Sequence, residues 1–350
     1  MNATPQSAGL EVAGLLREYD LGALIGAEPL AGGSATVVRI RAERGTFVLK
    51  LAGRPEDIDL QARASRYLAR RGIRQAQIFP TRTGALVSSG GHFLLESLPG
   101  TIAVQPSARQ TVAAMRYLGA YHRELAGLPH AYLPDASSLW QRVADPEYLV
   151  RELPGLLARY RLAGTEELAA LDALDQARPG LASLPRQIVH GDIAPDNVLM
   201  DGDAVVSVID FTPYYESVVF GASTALYWYH VHGSRHPSAD LHSADLHSGQ
   251  RPPGRRPSVQ RPFGQPSSKE LSISHLRRSV AALGEQREWT EAELELWPAG
   301  LLREALRRLA TPLVAATESG RAPSGPSVAN RHAALLALVR ALPDLQELSK

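Results

Sequence analysis

Four short groups of polar residues, far apart along the chain, carry side chains that could do chemistry together. His190-Gly191-Asp192 is followed by Asn197, five residues beyond the aspartate. Asp210 stands between Ile209 and Phe211, just after a short hairpin signal. Lys50 sits inside the apolar run FVLKL, and Gly32, Gly33 and Ser34 form the turn of LAGGSATV. Phosphoryl transfer asks for few protein parts. It needs a carboxylate beside the acceptor hydroxyl, oxygen ligands for a metal ion, a cation on the phosphates, and backbone amides close to them. Asp192 can supply the first. Asn197 and Asp210 offer the hard oxygen donors that Mg²⁺ prefers. Lys50 can pair with the α- and β-phosphates, and Gly32 and Gly33 let backbone amides approach them.

These groups must be positioned by elements of two different periodicities. Residues 10–26 read as a short helix and a connection. Two β-branched runs, 36–42 and 46–52, flank a charged turn containing Gly45, which is a hairpin signal. Pro55 opens a helix with Glu56 and Asp57 in its first turn, and Gly72 ends it. Residues 85–88 and 92–96 read as strands, and Leu98-Pro99-Gly100 breaks the pattern. The rest is mainly helical, interrupted by strand-like pieces at 197–200 and 204–209 around Asp201-Gly202, with helix resuming near Ser217. Residues 233–272 hold the tandem SADLH-SADLH repeat, are rich in Pro, Ser, Arg and His, and read as a mobile insertion. The expected organisation is a strand-rich lobe over 1–97 and a helical lobe over 98–350.

HGDIAPDN and VIDF resemble the HGDxxxxN and IDF motifs of the aminoglycoside phosphotransferase family, which includes choline, homoserine and fructosamine kinases. The likeness extends through LAGGSATVVRI, FVLKLA, FLLESLPG and YLGAYHREL. It implies an α+β, protein-kinase-like fold of two lobes. It also implies an ATP-dependent kinase of a small hydroxylated molecule, with Asp192 as catalytic carboxylate and Asn197 and Asp210 on Mg²⁺. Lys50 and the turn at Gly32, Gly33 and Ser34 would hold phosphates, and the backbone near Glu96 and Leu98 would meet the adenine. One position departs from the family pattern. Where a helix glutamate pairs with the strand lysine, counting back from Gly72 lands on Gln61, whose amide brings no charge. Asp57, one turn earlier, is the alternative partner for Lys50, and a nucleotide-binding pseudokinase without turnover is the competing reading.

Bulk composition removes other classes. Of 350 residues, 37 are Lys or Arg and 36 Asp or Glu, a net charge of +1 that does not suit a nucleic-acid or anionic-membrane partner. The absence of cysteine excludes disulfides, thiolate metal sites and a cysteine nucleophile. No stretch has the length and apolarity of a membrane span, and a cytoplasmic location is expected. The histidines at 230, 232, 236, 242 and 247 lack a fixed ligand geometry and are not read as a metal site. A polycationic acceptor would want carboxylates in the cleft, for which Asp135, Asp145, Glu147 and Glu152 are candidates. The helical lobe is equally rich in arginine, so the sign of the cleft is open. Tyr227-Trp228-Tyr229 is either core or the wall of that cleft.

Overall fold

The computed structural model describes residues 14, 16–30, 37–52, 55–103, 105–129, 139–232, 271–323 and 325–348. The glycine turn at Gly32, Gly33 and Ser34 and nearly all of the 233–272 segment lie outside them.

Alternating apolar residues build the first sheet. Strands β1 (Leu24–Leu30), β2 (Val37–Ala42), β3 (Gly45–Leu51), β4 (Ile78–Phe79) and β5 (His92–Glu96) lie in the order β1-β2-β3-β5-β4, all antiparallel. Ile40, Phe47, Leu49 and Leu94 point to one face and close a small core with Tyr19 and Leu21. Lys50 is opposite Val37 on one side and Phe93 on the other, so the sheet fixes its position from both neighbours. Helix α1 (Pro55–Ala69) buries Ile58 and Ala62 against Ile78 and Phe93, while Leu60, Ala64 and Leu68 join the main core.

Two sequence expectations fail in this sheet. Residues 24–26, within the stretch read as helix and connection, belong to strand β1, because pairing with β2 overrides the weak helical spacing. Residues 85–88 do not form a strand. Thr81 N–H bonds Ala85 O at 2.7 Å and Ser88 N–H bonds His92 O at 2.7 Å, closing two successive loops, and the two-residue β4 pairs with β5 instead.

After β6 (Thr101–Ile102) the chain is mostly helical. Helix α2 (Ala108–Leu125) starts in a capping box, Ser107 with Gln110, and α3 (Leu139–Arg142), α4 (Pro146–Arg159) and α5 (Thr165–Ser183) follow. Strand β7 (Arg186–His190) pairs antiparallel with β10 (Pro213–Ser217), and between them β8 (Val198–Asp201) and β9 (Ala204–Val208) form a hairpin whose outer edge takes β6. The strands β8 and β9 fall where the sequence places them, whereas β7 and β10 are additions. Helix α6 (Val218–Leu226) runs into a π-helical turn, Tyr227–Val231, and α7 (Ile273–Gly284), α8 (Glu291–Ser319) and α9 (Gly325–Leu348) complete the helical layer. Helix α7 crosses α2 so closely that a Cβ on Gly119 would lie 2.2 Å from the Leu283 carbonyl oxygen. Helix α8 buries Leu301, Leu302, Ala305, Leu306 and Leu309 at the centre of the main core. No helix among the described residues is long and apolar enough to cross a membrane.

Candidate active site

The β7–β10 ribbon brings the two acidic motifs together. His190 ends β7 fully buried, and its ring joins two turns. Nδ1 accepts the Asp192 N–H at 3.1 Å, and Nε2 lies 3.2 Å from the Ile209 carbonyl. Both bonds are satisfied by the neutral ring carrying its proton on Nε2. Burial lowers the His190 pKa, outweighing the Ile209 bond and the nearby carboxylates that act to raise it. Phe211 meets the His190 ring edge-on at 5.4 Å between centroids. The histidine is therefore a strut between the Asp192 turn and the Asp210 turn.

Gly191 makes that turn possible. Its N–H donates to Thr212 O at 2.8 Å, and a Cβ there would lie 2.1 Å from the Tyr214 ring. Asp192 N–H and O are both engaged, the latter by Asn197 Nδ2 at 2.8 Å. That bond turns the Asn197 side-chain oxygen away from Asp192. Asn197 O in turn accepts from Ile209 N–H at 2.8 Å, tying the Asn197 turn to the start of the Asp210 turn.

Asp210 adopts φ +58°, a left-handed backbone that aspartate tolerates better than most residues at a cost of roughly 1 kcal/mol or more. The conformation aims its carboxylate at the strand sheet, where Oδ1 pairs with Lys50 Nζ across 160 residues of sequence. Lys50, with its side chain 20% exposed, is thus held by Asp210. Gln61 is half-buried on α1 and makes no hydrogen bond to Lys50. At the end of β5, Glu96 N–H bonds Gln77 O at 2.8 Å and its carboxylate lies 3.4 Å from Arg74, while the Leu98 amide and carbonyl have no protein partner among the described residues. The structure thus gathers Lys50, Asp192, Asn197 and Asp210 into one contact chain and leaves Leu98 with free backbone groups at the edge of the strand lobe.

Sequence reasoning missed the largest electrostatic feature of the site. Arg308, on α8 and 6% exposed, places Nη2 2.7 Å from Asp192 Oδ1 and Nε 2.6 Å from Glu304. Glu304, fully buried, also receives Arg307 at 2.7 and 2.8 Å through both its oxygens. Burial alone would raise the Asp192 carboxyl. The Arg308 charge and hydrogen bond, helped by Arg307, outweigh it and hold Asp192 below the usual carboxylate range. The Arg308 guanidinium lies 4.7 Å over the ring of Trp228, which packs half-buried against the main core, and Tyr227 is part of that core. The available signal was REALRR itself, charges spaced three and four apart in the apolar middle of a helix. Of the acidic candidates, Asp145 caps α4 through Glu147 N–H at 3.0 Å and Glu152 pairs with its neighbour Arg151; Asp135 lies outside the described residues.

The donor set suits a hard divalent ion. Among the described residues there is no cluster of three His, Cys, Asp or Glu side chains, which excludes a protein-only cage there. The Asn197 side-chain amide and the Asp210 carboxylate carry hard oxygen donors of the kind Mg²⁺ prefers when phosphates and water complete its shell. His230, from the sequence cluster, instead bonds Ser279 Oγ at 2.8 Å, and burial lowers it to about 4.

The model of the APH phosphotransferase enzyme family matches residues 26–215, more than half of the chain and all four polar groups of the site. A homoserine kinase from Brucella canis is 28% identical over 226 residues, covering 58% of this chain and 62% of that protein, so the alignment spans about three-fifths of the relative's length. Among solved structures, the amicoumacin kinase hAmiN in complex with AMP-PNP, Ca²⁺ and Ami superposes with a TM-score of 0.62 at 16% identity, over 97% of this chain and 94% of that one. An aminoglycoside phosphotransferase from Alicyclobacillus acidocaldarius gives 0.61 at 17% identity, over 100% and 97%. These likenesses fix the fold as that of the protein-kinase-like phosphotransferases, with a sheet lobe and a helical lobe. With its motifs matched in order and its fold shared, the chain belongs to the phosphotransferase enzyme family.

Proposed function

We propose that this chain is an ATP-dependent kinase that moves the γ-phosphoryl group to a hydroxyl of a small molecule. The observation that carries the reading is the contact chain from Lys50 through Asp210 to the Asn197–Asp192 turn, which unites residues from two lobes around one point. Asp192 orients the acceptor hydroxyl and takes its proton as the oxygen attacks phosphorus. The new oxygen–phosphorus bond forms as the bond between the γ-phosphorus and the β,γ-bridging oxygen breaks, and ADP leaves. Asn197 and Asp210 would hold Mg²⁺, which when bound neutralises charge on the phosphates. Lys50, paired with Asp210 in the free protein, turns its ammonium to the α- and β-phosphates. The free Leu98 backbone groups, next to Glu96, suit the edge of an adenine. Gly32, Gly33 and Ser34 would cover the phosphates.

The Lys50–Asp210 pair also bears on the pseudokinase alternative. That reading starts from Gln61 and from the 233–272 insertion; in the free protein Asp210 gives Lys50 a charged partner that Gln61 does not. Acceptor choices include aminoglycosides and other hydroxylated antibiotics, choline, homoserine and sugars. ADP release with Mg-ATP is the direct assay. Wild-type protein is expected to turn over one acceptor class. The Asp192→Asn variant is expected to lose about 10³-fold in kcat while Mg-ATP still raises its Tm. Full activity in that variant would remove Asp192 from the reaction, and no effect of Mg-ATP on the wild-type Tm would remove the kinase reading itself.

A further inference from the structure

A carboxylate that orients an acceptor must itself be aimed, and the backbone does not aim Asp192. Its main chain is pinned by the His190 Nδ1 bond at 3.1 Å and the Asn197 Nδ2 bond at 2.8 Å. Those bonds fix the Cα and leave the side-chain torsions open, the terminal one of an aspartate being broad and two-fold. The side chain is 40% exposed, so close packing does not hold it either. One contact does. Arg308 Nη2 donates to Oδ1 at 2.7 Å, and Oδ2 has no hydrogen-bond partner among the described residues.

Arg308 can aim Asp192 only if its own long side chain is fixed, and two further contacts fix it. Nε, on the same edge of the guanidinium as Nη2, donates to Glu304 Oε1 at 2.6 Å, one turn back along α8. The guanidinium plane lies 4.7 Å over the Trp228 ring. Glu304 has no freedom to yield: it is fully buried, and Arg307 donates to both of its oxygens at 2.7 and 2.8 Å. Helix α8, which carries all three residues, is also tied to the far end of the β7–β10 ribbon, where Arg303 lies 2.7 Å from Glu216 of β10. Buried ion pairs of this kind add little net stability, because desolvation offsets their attraction. What they do impose is direction.

We propose that Arg308, anchored by Glu304, is a positioning residue that commits Oδ1 of Asp192 and leaves Oδ2 as the oxygen that receives the acceptor's proton. This rests on the phosphotransferase reading. As the acceptor oxygen bonds to the γ-phosphorus and the bond to the β,γ-bridging oxygen breaks, the hydroxyl proton passes to Oδ2, while Oδ1 stays with Arg308. The role belongs to the fork of the arginine rather than to its charge. An ammonium in the same place keeps the charge but does not grip Glu304 and Asp192 at a fixed angle.

Arg308→Lys separates the two. Activity is read as ADP release from Mg-ATP by the full chain, with kanamycin, choline, L-homoserine and D-ribose as acceptors, and water where none of them is used. The variant is expected to lose about 10- to 100-fold in kcat, with KM for ATP changed less than about threefold. In the Asp192→Asn background the same substitution is expected to cost less than about threefold more, because orientation acts through the carboxylate that this background lacks. Losses that simply multiply, or a folded Arg308→Lys with kcat within about threefold of wild type, overturn the positioning role and leave the phosphotransferase reading standing. Crystal structures of wild type and Arg308→Lys give a second readout that needs no acceptor. The Asp192 carboxylate is expected in one orientation in the first, and turned from it or divided between two in the second. An unchanged single orientation overturns the proposal. Should Arg308→Lys fail to fold, Glu304→Asp withdraws the anchor without touching Asp192. It is expected to give the same split between kcat and KM, and an unaltered kcat there overturns the proposal. Wild-type protein that releases no ADP, even to water, and whose Tm ignores Mg-ATP overturns the kinase reading along with it.

Discussion

Replacing Arg308 with glutamine removes one charge from a network in which every other member keeps a partner except Asp192. Glu304 retains both bonds from Arg307, at 2.7 and 2.8 Å. The loss therefore falls on the carboxylate 2.7 Å from Arg308 Nη2. Two unit charges about 4 Å apart attract by about 4 kcal/mol at an effective dielectric near 20. The Asp192 side chain is 40% exposed, and solvent screening reduces this to roughly 1–2 kcal/mol. That corresponds to about one pH unit in the carboxyl's titration. In the native protein burial pushes Asp192 up, and Arg308 and then Arg307 bring it below the ordinary value. Because the folded pKa is depressed, this group stabilises the fold above the unfolded carboxyl's value of about 3.9, and the contribution is lost as pH falls through the lower folded value. Without Arg308 the balance shifts toward the effect of burial. The carboxyl's titration rises, and the acid limb of the rate profile moves up with it. The measurement is kcat at saturating Mg-ATP and acceptor between about pH 5 and pH 8. Wild type is expected to stay flat over the acid half, and Arg308→Gln to decline there with its limb shifted up by about one unit. Coincident profiles from a folded variant would refute the claim that Arg308 sets the ionisation of Asp192.

Two further substitutions probe positions where sequence and structure disagree most or agree most closely. Gly191→Ala should lower stability by about 1–3 kcal/mol, read as a fall in Tm, because its Cβ would meet the Tyr214 ring at 2.1 Å; an unchanged Tm would show that the turn can yield. Gln61→Glu should change kcat/KM for ATP less than about threefold, since strand pairing with Val37 and Phe93 already places Lys50, and a gain of a hundredfold would mean that the native lysine is poorly placed.

The parts of this molecule that were legible in the sequence share one property: their signal is local. The hairpin β2–β3 turns at Gly45 between β-branched runs, helix α1 starts at Pro55, and β8–β9 turn at Asp201-Gly202, each marked by residues within a few positions of the event. The motif residues were legible for a similar reason, since Asp192, Asn197 and Asp210 are spaced by the turns that aim them. Strands β1, β6, β7 and β10 were not, because they are defined by partners: β10 forms on β7, with Pro213 opposite His190 and Ser217 opposite Arg186, and neither run alternates strongly enough to announce itself.

The same distinction separates the groups that react from those that hold them. The residues proposed for phosphoryl transfer sit on turns next to one another in sequence or are brought together by one strand pairing, so a one-dimensional reading can group them. Arg308 reaches Asp192 across 116 residues and Arg331 reaches the Arg308 backbone from another helix. Neither contact has a spacing rule, and both depend on how α8 and α9 pack. Pro312 shows why such a contact escapes notice: read along the chain it is a helix-disfavouring residue, whereas in the fold it frees the carbonyl oxygen that fixes Arg331. The sign of the acceptor cleft, undecided while its acidic and basic residues are only counted, becomes a property of pairing. Once Glu304 and Glu216 are assigned to their arginines, neither is a free carboxylate of that network among the described residues.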